Sequence, residues 1–163
     1  MKTGLDLGDL TTYKTFEELE EAYAKQIDHF SDRMVTCITQ VEKMHELLLP
    51  TPFLSAVIDD CLTCGMDVTQ GGARYNFAGV QAIQIANVAD SLAAIKLLVY
   101  DEKKLSAQEL LHALQTNFED APLVRTMLLN KVPKYGNDVP WVDELGAKWV
   151  NYFADGLRKY RNG

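Results

Sequence analysis

The sequence predicts a mainly helical chain with one or two short strands. Apolar residues recur at intervals of three or four over residues 16–48, the period of one face of a helix. Two S/T-x-x-E capping boxes, at 15–18 and 106–109, mark helix starts. Strand-like composition is confined to the stretch 73–85, so helices dominate the prediction.

The first helix is predicted over residues 16 to about 48. Thr15 and Glu18 form its capping box, and Pro50 and Pro52 follow its end, where a helix cannot continue. This helix is much longer than the usual three turns and carries a single apolar stripe. A helix of this kind requires a large body to pack against.

The middle of the chain predicts a second helix followed by the strands. The helix runs over 53–64 and closes at Gly65, a residue type that adopts the left-handed conformation at helix ends. Gly71 and Gly72 then interrupt the chain before a short strand at 73–77, with 80–85 as its possible continuation. A lone strand needs a partner, which implies strands supplied by other polypeptide.

A buried helix is predicted next, over 88–100, because it is apolar on nearly every side. Its predicted N-cap is Asn87 or Asp90, and a helix-capping role is favoured for both over ligand binding.

The last part of the chain predicts three further helices. The capping box at 106–109 opens the first, residues 123–129 form the second, and residues 141–160 form the third. The third helix has Pro140 in its first turn and Asp138 as its predicted N-cap.

Charge and composition exclude several classes of partner. The chain carries 16 basic and 23 acidic residues, with no basic cluster able to track a phosphate backbone, so a nucleic-acid partner is not expected. No apolar run reaches the roughly 20 residues of a membrane span, and the N-terminus lacks the apolar core of a signal peptide. These features predict a cytoplasmic protein.

The three cysteines predict free thiols. Cys37, Cys61 and Cys64 are an odd number, and no export signal accompanies them. Cys61 and Cys64 form a CxxC, but the three histidines lie at no metal-ligand spacing, so no metal site is predicted. Two buried structural thiols are favoured, and a metal or redox role for the pair stays open as a weaker alternative.

The glycines at 71, 72 and 79 do not predict a phosphate site. They fit neither G-x-G-x-x-G nor G-x-x-x-x-G-K-[ST], and no Lys or Arg follows Gly79 until Lys96. Gly71 and Gly72 instead suit a tight turn, and Gly79 a bulge or a close backbone contact.

Several ordered motifs carry a family resemblance. They are P-T-P-F-L-S at 50–55, T-Q-G-G-A-R-Y-N-F at 69–77, I-A-N-V-A-D-S-L-A-A-I-K at 85–96, P-K-Y-G-N-D at 133–138 and V-D-E-L at 142–145. In this order they resemble the pyruvate formate-lyase-like domain of glycyl radical enzymes, formate C-acetyltransferase included, and in particular its dehydratase and lyase branch.

The resemblance implies an α/β fold. Family members form a ten-stranded α/β barrel of two half-barrels wrapped by helices, and residues 1–163 would be an internal segment of that domain. The rest of the barrel would supply the partners for the predicted strand and the body for the first helix. The full-length enzyme would be a cytoplasmic homodimer of anaerobic metabolism acting on a small molecule.

The chemistry that the resemblance implies needs residues absent from this sequence. In the family, an activating enzyme that uses S-adenosylmethionine installs a glycyl radical, and the radical passes to a cysteine thiol. The thiyl radical abstracts hydrogen from the substrate, and a C–C, C–O, C–N or C–S bond of the substrate is cleaved. The family's cysteine loop reads G-C-V-E and its radical loop R-V-x-G-Y, and neither occurs here. No catalytic residue and no bound cofactor is therefore assigned, and the chain alone is expected to be inactive.

Five polar or aromatic residues are candidates to face a substrate. Tyr75, Asn76 and Gln81 lie on or beside the predicted strand, and Asn137 and Asp138 lie in a glycine-led turn. Core packing is favoured over substrate contact for Tyr75, and helix capping is favoured for Asp138. For the whole chain, the alternative to an enzyme segment is a free-standing helical binding or regulatory protein without catalysis.

Overall fold

The computed structural model describes residues 3–161, which form helices joined by turns and contain no strand. The α-helices are α1 Phe16–Leu48, α2 Pro52–Val57, α3 Cys61–Cys64, α4 Ile85–Ile95, α5 Ala107–Gln115, α6 Pro122–Asn130 and α7 Pro140–Leu157. Two 3₁₀ turns, Leu10–Thr12 and Val68–Gln70, and a π-helical segment, Lys96–Asp101, complete the regular structure. The predicted mainly helical character is confirmed.

The predicted strands at 73–77 and 80–85 do not form within the described residues. Residues 73–75 are bends, 76–84 have no regular structure, and α4 already begins at Ile85. Strand geometry is stabilised by hydrogen bonds to a neighbouring strand, and this part of the chain offers none.

The first helix agrees with its prediction. α1 spans 33 residues, and the Thr15 hydroxyl accepts a hydrogen bond from the Glu18 backbone N–H at 3.2 Å. The Glu18 carboxylate accepts from the Lys14 backbone N–H at 2.6 Å. The predicted capping residues therefore close the helix start, with the carboxylate reaching one residue further back than a regular capping box requires.

The predicted continuous helix over 53–64 is wrong, because the chain turns between α2 and α3. Ile58 is extended, and Asp60 has a left-handed backbone with φ of 75°. Asp is one of the few residues other than glycine that enter this region readily. Gly65 does close α3 in the left-handed conformation, with φ of 66°, as predicted.

The predicted N-caps of two helices are wrong. α4 begins three residues earlier than expected, after Gln84, which is left-handed and provides no side-chain cap, so Asn87 and Asp90 lie inside the helix. At α7, the Val139 carbonyl accepts the first helical hydrogen bonds from Val142 and Asp143. Asp138 precedes that position with φ of 57°, so it does not occupy the N-cap.

The other predicted helices form. Ser106 and Glu109 make the complete capping box of α5, and α6 covers the predicted 123–129. α7 ends at Leu157, three residues before the predicted end.

The chain divides into two compact units. The first comprises the described residues up to His29 together with Ala82–Asp155, and the second comprises Phe30–Gln81 together with the described residues from Gly156 onward. The apolar core belongs to the first unit, where α4, the π-helical segment, α5, α7 and the start of α1 contribute buried side chains; these include Phe16, Ala89, Leu92, Leu98, Leu110, Val142, Leu145 and Trp149. The predicted burial of the helix after residue 88 is confirmed.

In the first unit, the P-K-Y-G-N-D turn is fixed by hydrogen bonds to two helices. The Tyr135 backbone N–H donates to Asp90 on α4, and the Gly136 N–H donates to Asp143 on α7, both at 2.7 Å. A Cβ atom at Gly146 would lie 2.5 Å from the Tyr135 ring, so a glycine there lets the turn pack on α7. Asp90 therefore holds a turn rather than a helix start.

Candidate functional site

The candidate site lies in the second unit, in the loop that follows α3. The Asp67 carboxylate is the centre of its hydrogen bonds. It accepts from the backbone N–H groups of Thr51 and Thr69, each at 2.9 Å, from the Thr69 hydroxyl at 2.7 Å and from the Ser55 hydroxyl at 2.7 Å. One carboxylate thus ties the start of α2 to the turn before Gly71.

These hydrogen bonds favour the ionised form of Asp67. Those from the Thr69 hydroxyl and N–H, followed by those from Ser55 and Thr51, hold the pKa of Asp67 far below its usual range, against the opposing effect of partial burial. Asp67 is therefore a permanent anion at neutral pH whose oxygens are occupied by protein donors. It is a structural anchor, and it has no free lone pair aimed at a ligand in this arrangement.

The two glycines of the loop serve close packing. Gly71 is left-handed, with φ of 81°, and a Cβ atom on Gly72 would lie 2.2 Å from the Met66 carbonyl oxygen. The Gly72 backbone N–H donates to the Asp67 carbonyl at 3.1 Å. The turn interpretation of these glycines is confirmed, because one needs a positive φ and the other leaves no room for a side chain.

Past the glycines, Arg74 binds Asp60 through two hydrogen bonds. Its Nε donates to one carboxylate oxygen at 2.7 Å and its Nη2 to the other at 3.2 Å. The Arg74 side chain, by this hydrogen bonding, holds the pKa of Asp60 below its usual range, and Asp60 raises that of Arg74. The loop is therefore joined to the residue before α3.

Two of the predicted candidates, Tyr75 and Asn76, are consecutive in the loop, but their side chains have different surroundings. The Tyr75 and Phe77 rings stack with centroids 6.2 Å apart, and they are 75% and 83% exposed. The Asn76 amide nitrogen lies 3.1 Å from where a Gly71 Cβ would be, so its side chain folds back onto the loop. Core packing, the alternative for Tyr75, does not occur within the described residues.

The other three predicted candidates are exposed residues outside this loop. Gln81 is exposed in the irregular stretch before α4, and Asn137 and Asp138 are exposed residues of the first unit. The second unit also has an open cavity of about 420 Å³ beside Asn76, lined by α1 and the loop; the polar residues of its lining include Glu42, Lys43, His45, Glu46, Thr69 and Gln70.

The cysteines supply no site. Cys61 is buried and Cys64 is exposed, so the predicted burial is confirmed for the first and wrong for the second. Burial raises the pKa of the Cys61 thiol and makes it a weaker nucleophile. Among residues 3–161, no group of three or more His, Cys, Asp or Glu side chains is arranged to hold a metal ion. No helix of that range is long and apolar enough to cross a membrane.

The sequence analysis did not identify Asp67 or Asp60, or the hydrogen-bond partners of either carboxylate. The pattern Asp67-x-Thr69 is typical of an Asp side chain that accepts a hydrogen bond from the backbone N–H two residues later. This local pattern in the sequence could have indicated Asp67. The partners at Thr51, Ser55 and Arg74 lie 12 to 16 residues away in the chain, and only folding shows them.

Comparison with known proteins identifies the family. The sequence model of the pyruvate formate lyase-like family matches residues 1–163, the whole chain. The chain belongs to this family. Among curated relatives of this pyruvate formate lyase-like chain, the trans-4-hydroxy-L-proline dehydratase of Clostridioides difficile is 39% identical over 150 residues, which are 92% of the chain and 19% of the relative.

Solved structures agree with the sequence match. A glycerol-bound B12-independent glycerol dehydratase from Clostridium butyricum has a TM-score of 0.89 and 34% identity, covering 98% of this chain and 20% of its own. A glycyl radical enzyme from Archaeoglobus fulgidus has a TM-score of 0.82 and 33% identity, covering 92% and 19%. This pyruvate formate lyase-like chain therefore spans about a fifth of the length of the glycyl radical dehydratases and lyases it matches.

Proposed function

We propose that this chain is a scaffold segment of a glycyl radical dehydratase or lyase, a portion of its barrel domain. The observation that carries the proposal is the match of the whole chain to about a fifth of such enzymes. The second unit supports it, because many of its large apolar side chains are exposed and suit contact with further polypeptide.

The remaining polypeptide would complete both the fold and the chemistry. Residues 73–83 would pair with neighbouring strands of an α/β barrel, since they form neither helix nor strand within the described residues. The remainder would also carry the reactive cysteine and the radical glycine, whose motifs this sequence lacks. An activating enzyme dependent on S-adenosylmethionine would install the radical, and the full-length protein would be a homodimer.

Two further elements belong to the proposal. The substrate is a small molecule, by analogy with relatives named for trans-4-hydroxy-L-proline and glycerol. The enzyme acts in the cytoplasm, where a free buried thiol such as Cys61 persists.

Tyr75 is the favoured substrate-facing residue of this chain. It is exposed, aromatic and carried by the loop that the structure anchors at Asp67 and Asp60. Asn76, Gln81, Asn137 and Asp138 remain weaker candidates, Asn76 because its side chain folds back onto Gly71.

The test compares the 163-residue chain with the intact polypeptide that contains it. Each is incubated anaerobically with activating enzyme and S-adenosylmethionine, and the glycyl radical is measured by electron paramagnetic resonance. We expect a radical and turnover of a small hydroxylated substrate from the intact polypeptide only. Turnover by the isolated chain, or no radical in the intact polypeptide, contradicts the proposal.

The non-catalytic alternative predicts a different result for the isolated chain. A free-standing binding protein would unfold cooperatively and bind no hydrophobic dye, whereas a barrel segment would expose apolar surface and bind the dye. The first unit has its own apolar core, which is the one observation that favours the alternative.

A further inference from the structure

The side chains of residues 74–77 alternate in their surroundings. Arg74 reaches Asp60 and Asn76 lies against Gly71, so the two even-numbered side chains contact their own unit. Tyr75 and Phe77 stack on each other and are exposed. The direction of the two rings is thus set by where the even-numbered side chains are held.

Arg74 is held by a contact with a defined geometry. Both carboxylate oxygens of Asp60 are used, by Nε at 2.7 Å and Nη2 at 3.2 Å. A two-point contact fixes the plane of the guanidinium, whereas a lysine would offer a single point charge. Asp60 itself has a left-handed backbone conformation. It is the residue immediately before α3, where the chain no longer follows the direction of α2.

We propose that the Asp60–Arg74 pair is a positioning device that orients the Tyr75 ring towards the small-molecule substrate. The inference rests on the proposed function, and it assigns the pair a role in orienting Tyr75. Arg74 and Asp60 do not touch the reacting atoms. They act through Tyr75, whose neighbour on the chain they immobilise.

The experiment uses the intact activated enzyme and four variants of the pair. They are Arg74→Gln, Arg74→Lys, Asp60→Asn and the double variant Asp60→Asn with Arg74→Gln. Asn is chosen because it tolerates the left-handed backbone of Asp60. The control is Lys104→Gln, which breaks the Lys104–Glu102 ion pair of the first unit; the Lys104 side chain is 59% exposed and that of Arg74 is 60% exposed.

The first readout is kinetic, with glycerol, trans-4-hydroxy-L-proline and related small diols as substrates. Each single variant should raise KM by about two- to fivefold, the range for loss of a partly exposed ion pair, with kcat and radical yield unchanged. The double variant should be no worse than either single variant, because both remove the same contact. A merely structural role would lower radical yield and apparent kcat through loss of folded enzyme, with KM unchanged.

The second readout does not depend on turnover. Amide hydrogen exchange in peptides covering residues 73–83 should be faster in Arg74→Gln and Asp60→Asn than in the unaltered enzyme, and equally fast in the double variant. The exchange rate of Arg74→Lys should lie between those of Arg74→Gln and the unaltered enzyme. The exchange rate of Lys104→Gln should match that of the unaltered enzyme.

The outcomes separate the two proposals. An unaltered enzyme that forms no radical refutes the proposed function, and with it the substrate-directed role of Tyr75, whatever the exchange data show. An active enzyme whose pair variants match Lys104→Gln in KM and exchange overturns the positioning inference alone. Additive effects of the two single variants in the double variant also overturn it.

Discussion

Gly72→Ala should destabilise the loop that carries Tyr75, because the added methyl group would meet backbone. An ideal Cβ would lie 2.2 Å from the Met66 carbonyl oxygen, 2.8 Å from its carbon and 3.1 Å from the Asp67 carbonyl oxygen. The backbone of Gly72 is not left-handed, so the expected cost is steric. Relief requires the Met66 carbonyl to move by roughly 1 Å, an overpacking cost of about 1–3 kcal/mol.

That displacement would strain two neighbouring hydrogen bonds. The Met66 N–H donates to the Cys61 carbonyl at 3.1 Å, and the Gly72 N–H donates to the Asp67 carbonyl at 3.1 Å. A cost of about 1–3 kcal/mol corresponds to an increase of about 5- to 150-fold in the open population of the loop. Amide hydrogen exchange of the peptides between residues 60 and 76 measures this population directly.

Gly79→Ala is the matched control, because it is the same change at a position with open space. No atom lies within 4 Å of a Gly79 Cβ, and its backbone is not left-handed. This variant should be neutral or stabilising by up to about 1 kcal/mol, because alanine lowers the conformational entropy of the unfolded chain. Equal exchange in Gly72→Ala and Gly79→Ala would refute the steric argument.

Three further predictions concern the core, a helix start and acid stability. Leu98→Ala should destabilise the protein by about 2–5 kcal/mol in urea unfolding, because the side chain is fully buried, whereas Leu123→Ala, at an 80% exposed position, should change stability by less than about 0.5 kcal/mol. Ser106→Ala should cost about 0.5–2 kcal/mol through loss of the α5 cap, and Ser106→Asp should retain most of it; hydrogen exchange of α5 measures both. Asp67 has a lowered pKa in the folded state, so its stabilising effect is complete above the ordinary aspartate value of about 3.9 and is lost as the pH falls below it. Asp67→Asn should therefore lower stability at pH 7 and flatten its decline in acid, and an unchanged acid profile would contradict the role of Asp67 as an anion.

Helices were predictable where local periodicity and capping determine them. α1 and the start of α5 follow from apolar spacing and from S/T-x-x-E, both of which are readable within a few residues. The break between α2 and α3 was not predictable in this way. It depends on Asp60, whose left-handed backbone accompanies an ion pair with a residue 14 positions later.

The site was predictable only in part for the same reason. Tyr75 and the two glycines have local signals, an aromatic residue after a tight turn, and the structure places them as a turn with an exposed ring. The strand interpretation of residues 73–77 failed within this chain because a strand is a property of a pair. The Asp67 hydrogen bonds join segments whose proximity no local pattern encodes.

The distribution of apolar side chains connects the fold to the proposed function. Every buried side chain of the main apolar cluster belongs to the first unit. Among the described residues of the second unit, the only buried hydrophobic residue is Cys61, while large apolar side chains at least two-thirds exposed include Leu47, Phe53, Val57 and Leu62. Single exposed apolar residues are ordinary, but many lie in the described part of this unit, where hydrogen bonds to Asp67 join separate segments. Such a unit gains stability when further polypeptide covers its apolar side chains, which is the arrangement a barrel segment requires.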